Sequence, residues 1–422
     1  MLPIKLIREN PDLVESGIVA KHEKVNINQI LKVDQEQRSL LNELNEKREL
    51  RNKASEKIGE TKTRGEDADN AIKEMQELSQ SIKKLESNLT KINIQLEPLL
   101  YEIPNLPHNS VPIGSTSEDN IVIREWGDKK KSNFQFKNHL ELGEKLKLFD
   151  FKKGAAIAGS GFPLYIGQGA KLERSLINYM LDFHVVNYHC IEIFPPFVSR
   201  TEAMRITGQI PKLQDDMYFI ERDDLYLIPT AEVPVTNIHQ NEIIVEKMLP
   251  INYVANSGCF RREAGSYGKD TRGLTRLHQF NKVEIVKFVK PENSYDELEA
   301  LTLQAEAILQ SLGLHYRVLS LCTGDLSFAS AKSYDLEVWV PGEKRWLEVS
   351  TCSNFESFQA RRGKIRYRRE DNNKVDYVHT LNGSGVATPR LMIALLETYQ
   401  QADGSIHIPE SLQPYFGAEE IL

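Results

Sequence analysis

Between residues 75 and 99 apolar side chains recur at alternating steps of three and four: Met75, Leu78, Ile82, Leu85, Leu89, Ile92, Leu96 and Leu99. An unbroken a/d seam of this length can bury its stripe only against another helix. A less regular partner stripe lies upstream at Ile30, Val33, Leu40, Leu44, Ala54 and Ile58. Residues 59–69 between the two are polar and include Gly59 and Gly65, which suits a tip. The pattern predicts two antiparallel helices of about 30 residues, an arm of about 45 Å. Lys47, Arg48, Arg51, Lys53, Lys57, Lys62, Arg64, Lys73, Lys83, Lys84 and Lys91 decorate it, interspersed with acids. By spacing alone this is a solvated mixed-charge surface.

After the arm, Pro98, Pro104, Pro107 and Pro112 crowd together, a density that stops helices and favours extended chain. The remainder changes texture. Residues 171–185 and 293–312 read as helices, the second opened by Asn293 or Ser294 and closed by Gly313. Residues 283–289 and 335–340 read as strands, and strands with few interposed helices favour an α+β, antiparallel sheet. A chain of 422 residues exceeds what one core serves. The expected division is an N-terminal helical domain over 1–103, a linker over 104–118 and a second domain over 119–422.

A net charge of −7 argues against bulk attraction to nucleic acid, so any RNA contact must use a local basic surface. Cys190, Cys259, Cys322 and Cys352 are far apart and suggest neither a disulfide framework nor a zinc site. There is no apolar run of about 18 residues and no signal-peptide pattern, so no membrane contact and a cytoplasmic location are expected.

The chemistry concentrates in a few segments. Residues 260–284 read Phe-Arg-Arg-Glu-Ala-Gly-Ser-Tyr-Gly-Lys-Asp-Thr-Arg-Gly-Leu-Thr-Arg-Leu-His-Gln-Phe-Asn-Lys-Val-Glu. They suggest a strand carrying Arg261 and Glu263, a glycine-containing loop, and a return strand carrying Phe280, Lys282 and Glu284. Alternate strand residues share a face, so one surface offers a guanidinium, two carboxylates and an aromatic plane. That set suits a substrate with an oxyanion, an amine and a flat base. Other segments are weaker alone. Glu192-Ile-Phe-Pro-Pro-Phe-Val-Ser-Arg200, followed by Thr207-Gly-Gln-Ile-Pro-Lys212, could be a proline-ended edge strand. Thr230-Ala-Glu232 would put both polar side chains on one strand face. Glu348-Val-Ser-Thr351 offers oxygen ligands, and Leu381-Asn-Gly-Ser-Gly-Val-Ala-Thr-Pro-Arg390 reads as a glycine-rich turn feeding a helix.

Taken along the chain, residues 192–200, 260–284 and 381–390 resemble motifs 1, 2 and 3 of the class II aminoacyl-tRNA synthetases. The run Thr-Arg-Gly-Leu-x-Arg-x-His-Gln-Phe is similar to the seryl-tRNA synthetases specifically, and the likeness extends over nearly the whole chain. The resemblance implies a class II antiparallel sheet flanked by helices, with an N-terminal coiled-coil arm. It implies ATP-dependent attachment of serine to tRNA through a seryl-adenylate, releasing AMP and diphosphate, and serylation of selenocysteine tRNA where present. It further implies a homodimer built on motif 1, and an arm that grips the long variable arm of the tRNA by backbone and shape.

Residue by residue, the resemblance makes Arg261 and Arg390 the catalytic arginines. Arg261 would meet the serine carboxylate and the α-phosphate. Glu263 would accept from the adenine amino group, Phe280 would stack under the ring and Arg276 would hold the γ-phosphate. Arg262, Val349 and Ser350 would be further ATP contacts. Residues 264–275 would meet the tRNA acceptor end. Thr230 and Glu232 would take the serine ammonium and Glu284 the hydroxyl or amine, with Thr380, Asn382 and Ser384 near the hydroxyl. Glu348 and Thr351 would hold Mg²⁺ on the phosphates, with no zinc. Thr351 stands where the family usually has serine and Ser327 where it has glycine; Ile206 and Leu213 also depart. His278 is expected to be structural. Two rivals exist: a related ligase that loads a carrier protein, which would lack the arm, and a non-catalytic RNA-binding scaffold, which would have lost Arg261, Glu263, Glu348 or Arg390.

Overall fold

The computed structural model describes residues 1–65, 67–264 and 272–422. The chain divides into two compact units, one of residues 2–19 and 23–104, the other of residue 1, 20–22 and 105–422.

The smaller unit opens with two short helices, α1 (Ile4–Glu9) and α2 (Pro11–Ala20), ahead of the long pair α3 (Ile27–Thr63) and α4 (Asp69–Tyr101). Asn26 starts α3 by accepting from the Gln29 amide at 3.0 Å, which satisfies one of the helix's orphan donors. Cross-helix contacts set the direction: Gln37 donates to Asn93 at 2.7 Å and Arg48 to Glu86 at 2.7 Å, so the pair is antiparallel. Leu44, Ile82 and Leu85 form the buried centre of the seam, flanked by Leu40, Leu78 and Leu89. The buried Asp34 carboxylate lies 3.3 Å from Arg8 of α1 and 3.0 Å from Arg38, fastening α1 to the base of α3. Two expectations need correction. Gly59 and its neighbours through Thr63 are helical, so the tip shrinks to 64–68, with Glu66 outside the described residues. Pro98 does not stop α4, which runs on to Tyr101. Pro98 removes the bond its N–H would make to the Ile94 carbonyl, and the helix ends within one further turn.

The larger unit is built on an eight-stranded sheet. Its strands are β1 (Ile121–Trp126), β2 (Ile191–Ile193), β3 (Ile251–Phe260), β4 (Gln279–Val289), β5 (Tyr316–Ser320), β6 (Lys332–Val340), β7 (Arg345–Asn354) and β8 (His379–Ala387). Their order is β1-β5-β6-β7-β8-β4-β3-β2, antiparallel throughout except for β2, which lies parallel to β3 at the edge. Helices α5 (His139–Lys145), α6 (Gln168–Tyr188), α7 (Glu232–Thr236), α8 (Ser294–Ser311) and α9 (Thr388–Tyr399) accompany it. On β4 the alternation is plain. Val283, Ile285 and Val289 join an apolar cluster with Leu176 of α6, Leu301 of α8 and Leu395 of α9. Lys287, on the same side, reaches Glu297 of α8 at 2.8 Å. Phe280, Lys282 and Glu284 point the other way, into a cavity.

Strand β8 obeys the same rule and corrects a further expectation. The glycines of motif 3 lie inside a strand and not in a turn. A Cβ on Gly383 would fall 2.9 Å from Cys352 Sγ and 3.1 Å from Leu301, and one on Gly385 2.8 Å from His184 Nε2. Glycine is needed because α6 and α8 press that closely against the strand. Thr380, Asn382 and Ser384 take the opposite face. Among the described residues three bulges interrupt the ladders, one on the edge strand β1 at Ile123 and two beside the cavity. Leu336 pairs with Ser350 but Glu337 with Glu348, leaving Val349 extra. Lys282 pairs with Ala387 but Glu284 with Ser384, so β8 carries an extra residue opposite Val283, with Val386 at φ 90°. Residues 105–118 turn at 108–111, enter a 3-10 helix at Ser117–Asp119 and are held down: the buried Asn105 amide donates to the Ala329 and Phe355 carbonyls, both at 2.9 Å.

Leu44, 2% exposed, should behave as a core residue of the arm. Leu44→Ala is expected to destabilise the helix pair by about 2–5 kcal/mol. Circular-dichroism melts of the purified variant and wild-type chains would register this as an earlier loss of helical signal, whereas an unchanged melt would mean that the seam carries little stability.

Candidate active site

The cavity beside β4 has a volume of about 530 Å³, and most of the residues expected to bind serine or ATP line it. The pieces arrive differently from the way a period of two places them. β3 ends at Phe260, so Arg261 and Glu263 lie beyond the strand. The Asp216 carbonyl accepts from the Arg262 amide at 2.8 Å, and its carboxylate from the Ala264 amide at 2.6 Å. Asp216 thus draws the chain off the sheet, and Glu263 turns through a left-handed φ of 51°. Thr230 and Glu232 are not on a strand either. Glu232 is the first residue of α7, and its amide donates to Thr230 Oγ1 at 3.2 Å, a side-chain turn just ahead of the helix.

One end of the cavity is an acid pocket. Thr230 Oγ1 donates to Glu284 Oε2 at 2.9 Å, and Lys282 Nζ pairs with the same oxygen. Glu232 is buried and receives neutral side-chain amides, Gln359 at 2.7 Å and Gln209 at 3.4 Å. Burial, reinforced by the nearby Glu284 charge, pushes the Glu232 carboxyl up to about 7. Asn382 and Ser384 line the pocket, but Thr380 does not. Its hydroxyl donates to Gln359 Oε1 at 2.7 Å, so it stands behind the glutamine that holds Glu232.

The other end is arginine-rich. Arg261 spans the two regions: its Nε donates to the Pro229 carbonyl at 3.3 Å, and its guanidinium lies 5.2 Å from the Phe280 ring centre. Arg276 pairs with Glu263 at 3.0 Å. Arg390, from the first turn of α9, donates to the Glu348 carbonyl at 2.9 Å and lies 3.3 Å from its carboxylate. Arg262 does not line the cavity; its guanidinium sits 5.7 Å from the Tyr218 ring. His278 is likewise turned aside, with Nδ1 2.7 Å from the Tyr218 hydroxyl.

The Val349 bulge has a direct chemical result. Residues 348 and 351 of a regular strand point to opposite faces, but one extra residue restores them to the same side. Thr351 Oγ1 accordingly lies 3.5 Å from Glu348 Oε1, and it donates to Asp335 Oδ1 at 2.6 Å. Asp335 is absent from the expected set. Burial first, and the Glu348 charge second, push its carboxyl well above the usual range. Only the register, which sets Asp335 opposite Thr351, reveals it. Lys282 is visible on the Phe280–Glu284 row, but without its pairing. Gln209 and Gln359 carry no sequence signal. Residues 265–271, most of the loop expected to meet the acceptor end, lie outside the described residues.

Comparison with known proteins agrees with this geometry. Residues 217–399 match the tRNA synthetase class II core domain (G, H, P, S and T), and residues 1–107 the seryl-tRNA synthetase N-terminal domain. Serine–tRNA ligase of Carboxydothermus hydrogenoformans is 51% identical over 421 residues, covering 100% of this chain and 99% of the relative. That of Chloroherpeton thalassium is 51% identical over 427 residues, covering 100% of both. Among solved structures, seryl-tRNA synthetase from Pyrococcus horikoshii complexed with ATP superposes with a TM-score of 0.93 at 38% identity, covering 100% of this chain and 99% of that one. A prolyl-tRNA synthetase from Giardia lamblia, at 16% identity and a TM-score of 0.57, shares the fold over 66% of this chain and 57% of its own. With its sequence matched end to end by these relatives, the chain belongs to the seryl-tRNA synthetase family.

Proposed function

We propose that the cavity activates serine with ATP as seryl-adenylate and that the seryl group then passes to the 3′-terminal ribose of a tRNA. The coarser statement follows from family membership: the chain is a serine–tRNA ligase that uses ATP. The observation that best supports the finer one is Arg261, standing between a buried acid pocket and an arginine- and aromatic-lined end of one cavity. A guanidinium there binds the serine carboxylate and the α-phosphate together and stabilises charge developing at phosphorus. The carboxylate attacks directly, so alignment does the work of a general base.

In this reading Thr230, Glu232 and Glu284 receive the ammonium and hydroxyl of serine, with Asn382 and Ser384 beside them and Thr380 acting through Gln359. A pocket that hydrogen-bonds the hydroxyl rejects alanine by about 10⁴-fold, and threonine is refused for want of room. Phe280 stacks on adenine. Glu263 and Arg276, paired before ATP arrives, separate to meet the adenine amino group and the γ-phosphate, and Arg390 adds a second phosphate contact. Glu348 and Thr351, with Asp335 behind the hydroxyl, form an all-oxygen donor set that fits Mg²⁺. When bound, that ion supplies charge neutralisation on the phosphates. Threonine keeps the hydroxyl of the family's serine at this point.

The helical arm grips the variable arm of the tRNA. Because such a grip reads shape, it extends to a selenocysteine tRNA where a cell has one. The exposed edge at β2, where Ile191 is 56% and Phe194 82% exposed, is covered by a second copy in a homodimer. The working compartment is the cytoplasm, where tRNA, serine and ATP meet.

ATP–pyrophosphate exchange should respond to serine far above threonine, alanine, cysteine or glycine; no serine-dependent exchange would sink the adenylation claim. Replacing residues 28–99 by a short glycine linker should leave that exchange intact and abolish charging of serine tRNA. A variant that still charged tRNA would assign the arm another role.

Glu232 gives a pH signature. Below about 7 its carboxyl is protonated in the free protein and cannot offer charge to the serine ammonium. The KM for serine should therefore rise by about tenfold per pH unit as pH falls below 7, and Glu232→Gln should be weak and flat with pH. The stability sign is opposite. The folded carboxyl holds a proton that the unfolded chain loses at about 4.5, so the unliganded protein loses stability as pH rises from 4.5 to about 7. A serine KM independent of pH between about 5.5 and 8, a window that brackets the raised carboxyl, would contradict the assignment.

A further inference from the structure

His139 is the first residue of α5 and is buried. The Asn138 side chain caps that helix, accepting from the Leu140 and Glu141 amides, both at 3.0 Å. The His139 ring faces two carboxylates on one side: Nδ1 is 3.0 Å from Glu343 and 3.5 Å from Glu397. The three side chains have the composition of a metal site, but their oxygens are engaged. Glu397 accepts from the amides of His139 at 2.9 Å, Gly342 at 2.9 Å and Glu343 at 3.1 Å. Glu343 holds Arg345 at 2.5 Å.

The other side of the ring meets the motif 2 segment as it returns to the sheet. The buried Leu274 amide donates to His139 Nε2 at 3.3 Å. Gly273, at φ 63°, lies flush against the imidazole: a Cβ there would fall 2.2 Å from Nε2. The Leu274 N–H directed at Nε2 makes that nitrogen the acceptor, which puts the ring proton on Nδ1, the side of the two carboxylates. Immediately downstream, the Thr275 carbonyl accepts from Arg390 Nε at 3.4 Å, and Arg276 pairs with Glu263 at 3.0 Å.

We propose that His139 is a positioning residue for ATP: its imidazole, oriented by Glu343 and Glu397, fixes the backbone at Gly273–Leu274 and thereby places Arg276 and the Thr275–Arg390 contact. The proposal rests on the reading of Arg276 and Arg390 as phosphate contacts. His139 touches neither substrate and acts through the backbone it anchors. Losing the acceptor leaves a buried N–H without a partner, a cost that falls on the geometry of the phosphate end and not on the serine pocket.

Three substitutions separate the parts of the anchor. Gln places an amide oxygen near the position of Nε2, Asn reaches only the position of Nδ1, and Ala keeps neither. In ATP–pyrophosphate exchange, His139→Asn and His139→Ala should raise the KM for ATP by on the order of tenfold, with the KM for serine within about twofold of wild type. His139→Gln should recover most of the loss. Gly273→Ala should raise the same KM with His139 still present; a Cβ there meets the ring first and Leu140 Cδ2, at 2.7 Å, second, so the Gly273→Ala, His139→Ala double variant should be less than additive. Thermal melts run alongside identify variants that fail to fold. KM values for serine and ATP rising together, or kcat falling in proportion to lost stability with Gln no better than Asn, would overturn the proposal. Arg276→Ala provides the control: if it leaves the KM for ATP unchanged, the reading beneath the proposal has failed, whereas an effect there with none at His139 leaves that reading standing and refutes the anchor.

Discussion

Helices α6, α8 and α9 occupy one face of the central sheet, and that occupation decides what the other face can be. A strand sends alternate side chains to opposite sides. Once Val283, Ile285 and Val289 are committed to the helices, Phe280, Lys282 and Glu284 are delivered together to the far side. Strand β8 repeats this with tighter tolerance. Its helix-facing positions must be glycine where α6 and α8 press in, and its other positions carry Thr380, Asn382 and Ser384. Hydrophobic burial on one face therefore sets the polar row on the other.

The polar row is held under electrostatic tension. Burying a carboxylate without a cation is costly, and a protein commonly answers by keeping the proton. Glu284 has Lys282 beside it. Glu232 is held by glutamine amides, and its carboxyl is pushed up to about 7. Beside Glu348 and Thr351, Asp335 is driven the same way by burial and by the Glu348 charge. Both carboxyls have hydrogen-bond donors but no ion-paired cation among the described residues, which is where a cationic ligand gains most. The aryl and guanidinium end is different: Arg276 and Arg390 already hold anionic or carbonyl partners.

Much of this architecture is legible in the amino-acid sequence. The heptad seam identifies an antiparallel helix pair because its period admits no other burial, and Leu44, Ile82 and Leu85 are its centre. The Phe280–Glu284 row is legible for the same reason, being an uninterrupted stretch of strand. Legibility fails where the backbone departs from a regular period. Alternation assigns Arg261, Glu263, Thr230 and Glu232 to strands, yet Asp216 pulls the first pair off the sheet and a side-chain turn at the start of α7 organises the second. Gly383 and Gly385 suggest a turn because close helix packing leaves the same residue in the sequence as a tight bend does. Asp335, Gln359 and His139 act across distances of the chain that only register and tertiary packing connect.

The extra residue at Val349 gives β7 a margin in its length. Leu347 lies in the apolar cluster while Glu348 and Thr351 lie in the cavity, and the bulge reconciles a three-residue separation with a two-residue period. Deleting Val349 would leave Glu348 and Thr351 two positions apart, the spacing at which a regular strand keeps two side chains on one face. The strand would straighten without exchanging its two sides. Loss of a second residue between them would instead put the carboxylate and the hydroxyl out of phase, so β7 holds one residue of slack between the two oxygens it sends to the cavity.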